Sequence, residues 1–315
     1  MTNKLIIYSL IPLLLSFSSQ AQTKVKTHEG VQIGGIKQWI GATGNDDTKP
    51  ILLFLHGGPG FSSRLYSRQF IRQLKHDFIV VQWDQRGTGI TKAWNSPDTP
   101  ISIELMHQDT EEVVDYVLQK FDREKLYLVG FSWGGFLGLK HASKHPEKLH
   151  AYISVSAMIY SDLSDQITLK YLKNQAESSN NTEASTELNQ IHLPFQTWED
   201  LYYLRKWTAF FSSENSNSKT YPKKLFEEWS VNWMSVFKEA GATNYLTEIP
   251  SLDCPIYFFN SKRDLAANYH VAEQYHESLN AEEKYFIWFE ESTHEIPSDE
   301  PKKFAEELIK IVEMN

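Results

Sequence analysis

Six residues, Gly130-Phe131-Ser132-Trp133-Gly134-Gly135, constrain this chain more than any others. The apolar run Leu126-Tyr127-Leu128-Val129 enters them, and Phe136-Leu137-Gly138-Leu139-Lys140-His141-Ala142 leaves. That order predicts strand, tight turn, helix. In such a context Gly-x-Ser-x-Gly is the pattern of a sharp turn that lifts a serine hydroxyl clear of a sheet. Gly130 and Gly134 suit it because a Cβ at either would meet the strand or the helix. The hydroxyl is then set at a helix N-terminus, where unpaired N–H groups favour a developing negative charge.

The rest of the chain has the same rhythm. Ile51–Leu55, Phe78–Trp83, His150–Ala157, Ile256–Asn260 and Tyr285–Phe289 read as further strands. Arg64–Lys75 and Ser102–Phe121 read as helices, the second with Ser102 as N-cap and Leu105, Val113, Val117 and Leu118 along one side. Residues 31–40 read as antiparallel strands ahead of the first parallel one. Strands alternating with helices predict an α/β fold, a mostly parallel central sheet with helices on both faces. From about residue 159 to 246 the rhythm breaks. Aromatic residues and leucines fall at helical spacing, as in Trp198, Leu201, Tyr202 and Phe226, Trp229, Trp233, and two polar tracts, Ser178–Thr182 and Ser212–Ser218, interrupt them. This stretch is expected to be an inserted helical cap between two parts of the core, 22–158 and 247–315.

Residues 1–21 are expected to be a signal peptide. Lys4 precedes the apolar run Leu5–Phe17, and Ser19-Gln20-Ala21 offers a small-x-Ala cleavage pattern. The mature chain would begin near Gln22 and be periplasmic or secreted, with no stable membrane span once the signal is removed. The single cysteine, Cys254, excludes an internal disulfide. A net charge of -9 without any basic stretch argues against nucleic acid as a partner. Paired cysteines do not occur, and no metal or other cofactor is expected.

A serine hydroxyl is a weak nucleophile and needs a base. His294 fits that part, because it follows the last strand in the loop Glu290–His294, ahead of a helix capped by Ser298 or Asp299. Asp264, which follows the strand Ile256–Asn260, would orient the imidazole. An oxyanion needs donors. The N–H of Trp133 is one. Gly58 in His56-Gly57-Gly58-Pro59-Gly60 is chosen for the other, with Gly57 the alternative. Asp84 and Arg86, in Asp84-Gln85-Arg86-Gly87-Thr88-Gly89, are expected to brace these loops through a local ion pair.

Taken together, the His56–Gly60 and Asp84–Gly87 segments, the Gly130–Gly135 run, Asp264 and His294 resemble the proline iminopeptidase (prolyl aminopeptidase) family of α/β-hydrolases. The resemblance implies a capped α/β-hydrolase fold with Ser132, Asp264 and His294 as the triad. It implies release of an N-terminal proline or similar residue from small peptides through an acyl-enzyme. Members of that family hold the substrate's amine with cap glutamates, which makes Glu199, Glu228 and Trp229 the substrate-binding candidates here. The pattern departs at the acid, where Ser261-Lys262-Arg263 precedes Asp264 and Leu265 follows it. A serine esterase or lactonase on small acylated molecules, using the same triad, is the alternative reading.

Overall fold

The computed structural model describes residues 23–95, 100–212 and 221–314. The expected signal segment lies outside the described residues, as does all but Ser212 of the second polar tract.

Among the described residues, eight strands form one sheet: β1 (Val25–Ile33), β2 (Ile36–Gly44), β3 (Ile51–Leu55), β4 (Ile79–Asp84), β5 (Leu126–Phe131), β6 (Leu149–Val155), β7 (Ile256–Asn260) and β8 (Lys284–Trp288). Their spatial order is β1-β2-β4-β3-β5-β6-β7-β8. β1 and β2 are an antiparallel hairpin whose second strand runs antiparallel to β4. Every pairing from β4 across to β8 is parallel. The chain steps from β3 to β4 on one side and then returns to lay β5 on the other. The crevice at the C-terminal ends of β3 and β5 is thus a topological switch point, where open sheets of this kind place their ligands.

Strands β3 to β7 are largely buried on both faces, and alternation along them separates two cores. Leu53, Leu55, Val81 and Leu128 face α3 (Ile103–Phe121) and α4 (Trp133–Lys144). Leu52, Phe54, Val80 and Val129 face α1 (Arg68–Leu74) and α12 (Pro301–Met314), which contribute Phe70, Leu74, Phe304 and Leu308. Ser102 caps α3 as expected, its hydroxyl accepting from Leu105 N at 3.2 Å. The short α2 (Gly89–Trp94) follows β4. Between β6 and β7 the described chain is helical: α5 (Ser161–Ser178), α6 (Thr182–Leu188), α7 (Trp198–Ser212), α8 (Lys223–Ala242) and α9 (Tyr245–Glu248). After β7 comes α10 (Tyr269–Ser278), and after β8 the single turn α11 (Ile296–Asp299).

Three local readings are corrected. The helix expected over Arg64–Lys75 is broken into a 3-10 turn at Ser63–Leu65 and α1. Ser63 and Ser67 hydroxyls both accept from Gln82 Nε2, at 2.9 and 2.7 Å, and Ser62 caps the turn, so side-chain bonds compete with a continuous helix. Ser298 and Asp299 do not cap the last helix but lie within α11. Pro301 begins α12, as its fixed φ favours. Finally, Arg86 does not pair with Asp84. Its guanidinium grips Asp109 of α3 through Nε at 2.8 Å and Nη2 at 2.9 Å, and donates to Gly34 O at 2.7 Å. Asp84 instead accepts from Ser62 Oγ and from Ile90 N, and faces Arg64 at 3.5 Å.

Arg86 and Asp109 are both buried, so the pair ties α3 to the loop after β4 without solvent screening. Arg86→Met would leave the Asp109 carboxylate buried with Gln38 as its one remaining side-chain donor among the described residues. Denaturant unfolding should show a loss of about 3–5 kcal/mol.

Candidate active site

Ser132 stands between β5 and α4 with φ 53° and ψ -114°, a backbone conformation side chains rarely adopt. The turn holds it there. Ser132 N donates to Val155 O at 3.0 Å, and Ser132 O accepts from Gly135, Phe136 and Met158. A Cβ on Gly130 would lie 2.6 Å from Gly134 O, and one on Gly134 would collide with Leu55 O at the end of β3. The two glycines therefore let α4 turn back against β5 and pack on β3 at once.

Ser132 Oγ lies 3.0 Å from His294 Nε2. His294 Nδ1 lies 3.0 Å from both carboxylate oxygens of Asp264. With Nδ1–H donating to Asp264, Nε2 is left to accept from the serine hydroxyl. Burial works to lower the His294 pKa, but the charge and hydrogen bond of Asp264 outweigh it, and the imidazole stands above its ordinary 6.5. Asp264 is fully buried, and its Oδ1 also accepts from Ala266 N and Ala267 N, both at 2.9 Å. Ser261 Oγ donates to Ser292 O, which ties the acid's loop to the histidine's loop. Asp299 accepts from Thr293 N and Oγ1, both at 2.8 Å, and fixes the residue before the imidazole.

The loop His56–Gly60 leaves β3 beside this group, with Gly57 packed against Phe131 and Ser132. His56 is buried, which pushes its pKa down to about 4. Its neutral ring donates from Nδ1 to Gly57 O at 2.8 Å and accepts at Nε2 from Gln85 N at 3.3 Å. Gln85 then joins both loops, donating to His56 O at 3.0 Å and accepting from Trp133 Nε1 at 3.0 Å. Gln85 thus positions the two segments that carry Gly58 and Trp133. Gly58 has φ +120° and lines the cavity with Ser132. Trp133 is the first residue of α4, so its N–H is among those with no partner inside the helix.

A cavity of about 450 Å³ opens above Ser132 and His294, roofed by α7 and α8. Its wall is mainly apolar, with Tyr221, Leu225, Phe226, Trp229 and Phe237 from the helical insertion. Trp229 Nε1 donates to Pro59 O at 2.8 Å and docks α8 on the β3 loop. Of the three cap candidates, only Trp229 reaches this cavity. Glu228 is exposed beside Lys224 at 3.8 Å, and Glu199, in the first turn of α7, does not line it. Neither glutamate is among the residues that line the cavity. Glu295 and Arg205, which the sequence did not single out, do line the cavity.

A family profile described as alpha/beta hydrolase fold matches residues 50–301. The chain belongs to the alpha/beta hydrolase fold family. Among its relatives is a Bacillus subtilis (strain 168) protein named probable aminopeptidase YbaC, 29% identical over 297 residues, covering 88% of this chain and 93% of that one. The proline iminopeptidase of Heyndrickxia coagulans is 23% identical over 273 residues, covering 82% and 89%. Among solved structures, a proline iminopeptidase-related protein of Thermus thermophilus superposes with a TM-score of 0.65 at 17% identity, covering 91% of this chain and 97% of that one. At such identity the likeness extends to the fold. This α/β-hydrolase is therefore proline iminopeptidase-like in kinship, and the chemistry of its own site rests on the residues just described. No helix among the described residues is long and apolar enough to cross a membrane.

Proposed function

We propose that this protein is an exported serine hydrolase that releases an N-terminal residue, proline or similar, from small peptides. The single observation that supports it is the hydrogen-bonded series Ser132–His294–Asp264 opening on a mainly apolar cavity. Ser132 Oγ attacks the scissile carbonyl carbon while His294 Nε2 takes its proton. Asp264 stabilises the imidazolium that results. The amides of Gly58 and Trp133 receive the oxyanion. His294 then protonates the leaving amine, and water, activated by the same imidazole, releases the acyl group from Ser132. The cavity's size suits one residue and a short leaving portion, not a folded protein.

The test is turnover of the chain from Gln22 on proline 4-nitroanilide, on its N-acetyl derivative and on a short-chain aryl ester. Cleavage of the free-amine anilide, together with labelling of Ser132 by a fluorophosphonate, is the expected result. Ester cleavage alone would replace the peptidase reading with an esterase one. Export is supported by the sequence of residues 1–21 and is tested separately, by N-terminal sequencing of protein recovered from periplasm and medium.

The base must be neutral to accept a proton, so kcat/KM should rise with pH as His294 deprotonates. Its pKa stands above 6.5, so the acid limb of the pH profile is expected above pH 6.5. A limb at or below the ordinary imidazole value would contradict the Asp264 effect.

A further inference from the structure

Arg205 lies on the face of α7 that lines the cavity, with Thr208 and Ser212 further along the same helix. Apart from the base, His294, it is the one cationic side chain among the described lining residues. Its Nη1 donates to Asp165 Oδ1 of α5 at 2.9 Å, its only side-chain hydrogen bond to a described residue. A guanidinium carries several N–H donors in a planar fork, so this anchor leaves most of the fork unused. The two partners are unequally enclosed. The Asp165 side chain is 2% exposed and that of Arg205 14%, and Arg205 lines the cavity whereas Asp165 does not. Asp165 therefore holds the guanidinium from inside the cap. A tie between α5 and α7 alone would need no cation in the cavity wall.

The wall around Arg205 is mainly apolar. A carboxylate brought into such a space loses water and needs a cationic hydrogen-bond donor in exchange. Cleavage of a dipeptide brings one in, because a single carbon separates the leaving nitrogen from the terminal carboxylate. His294 protonates that nitrogen, so the carboxylate arrives close to the imidazole. Arg205 stands within reach of the same place, since its positive charge is felt at His294, where it works against protonation.

We propose that Arg205 binds the terminal carboxylate of the leaving amino acid, so that the site selects substrates whose leaving portion ends in a free acid next to the scissile bond. This rests on the serine hydrolase reading above and deepens it by naming the leaving portion. The guanidinium is then held between two carboxylates, with Asp165 as a positioning residue on one side and the substrate on the other. Asp165 offsets part of the charge, so the direction of the unused donors does the selecting. An amide in place of the acid loses the charge-assisted bonds and sets a second donor against the fork.

The experiment uses substrates in pairs that differ as free acid and amide. Prolylglycine is set against prolylglycinamide, and the O-acetyl ester of glycolate against that of glycolamide, whose leaving alcohols have the shape of glycine and its amide. L-Glutamyl and L-glutaminyl 4-nitroanilides move the same choice to the acyl side. Wild type, Arg205→Lys, the double variant Arg205→Gln with Asp165→Asn, and Ser132→Ala are compared. The double variant removes both charges and leaves no unpaired carboxylate buried. In the pairs it hydrolyses, wild type should favour the leaving-portion acid by about 10- to 100-fold in kcat/KM, mainly through KM. The double variant should lose that preference, and Arg205→Lys should keep part of it. Equal losses on acid and amide would mean that Arg205 acts through His294 or the packing of α7, and would overturn the proposal. So would a wild type that favours neither leaving-portion acid, or an Arg205-dependent preference confined to the glutamyl anilide. A preference confined to the ester pair would uphold the proposal and retire the peptidase reading. Turnover that survives in Ser132→Ala would instead sink the serine hydrolase reading, whatever Arg205 does.

Discussion

Ser132→Ala is expected to lower kcat by about a millionfold while the protein stays folded. The size of the effect follows from the geometry. The hydroxyl is 3.0 Å from the imidazole nitrogen that would take its proton. Other aliphatic hydroxyls among the described lining residues are those of Thr208, Ser212 and Thr293. Thr293 donates its hydrogen to Asp299 and Ser212 to Thr208 O, so neither is paired with an imidazole. Folding should survive because alanine occupies the same backbone position as serine, and among the described residues the hydroxyl bonds to His294 alone. Unfolding free energy should shift by less than about 0.5 kcal/mol. Residual turnover should exceed the uncatalysed rate by about 10³–10⁴-fold, since the cavity and the oxyanion donors remain. Steady-state rates and denaturant melts on one preparation check both halves. Activity within tenfold of wild type would move the nucleophile elsewhere.

The elements that meet at this serine were legible in the sequence because each is set by short-range constraints. The elbow needs small residues where two backbones approach, and Gly130 and Gly134 are those residues. The β strands declare themselves as buried apolar runs, and the loops at their C-terminal ends carry Asp264 and His294. What was not legible depends on which way a surface turns. Glu199, Glu228 and Glu295 are alike as letters, and all three lie near aromatic residues in the sequence or cavity. Only the helix packing of α7 and α8 decides that the first two stay outside. Glu295 was hidden by its neighbours, one acid among Glu290, Glu291 and Asp299 in a loop that reads as a solvated run. Asp299 braces Thr293 and Glu300 holds Ser292, while Glu295, itself exposed, lines the cavity.

Long-range pairing was hidden for a different reason. Arg86 sits two residues from Asp84, yet strand geometry and the turn after β4 carry it to Asp109, 23 residues away. Asp84 is occupied by the turn at Ser62 and by the start of α2. Gln85, between them, carries no charge. It nevertheless bonds to both segments expected to supply the oxyanion donors. Polar residues that position a site through neutral hydrogen bonds leave little trace in composition or periodicity.

Asp264→Asn should lower kcat by about 10⁴-fold with the fold again intact. The side chains are the same shape, so the loss isolates the charge and the direction of one hydrogen bond. Oδ1 of Asp264 accepts from Ala266 N and Ala267 N, and the amide oxygen of asparagine can take over both bonds. The amide nitrogen is then directed at His294 Nδ1, where a carboxylate oxygen stands in the wild type. It is a donor, so Nδ1 must accept and the ring proton moves to Nε2. That proton faces Ser132 Oγ and blocks the transfer on which attack depends. The loss of charge also removes the influence that holds the His294 pKa above 6.5, so the acid limb of whatever activity remains should move to lower pH. Asp264→Ala separates the two contributions. It removes the two loop hydrogen bonds as well, and should cost about 1–3 kcal/mol of stability that the asparagine variant keeps. If asparagine and alanine reduced turnover and stability alike, Asp264 would be holding its loop rather than orienting a base.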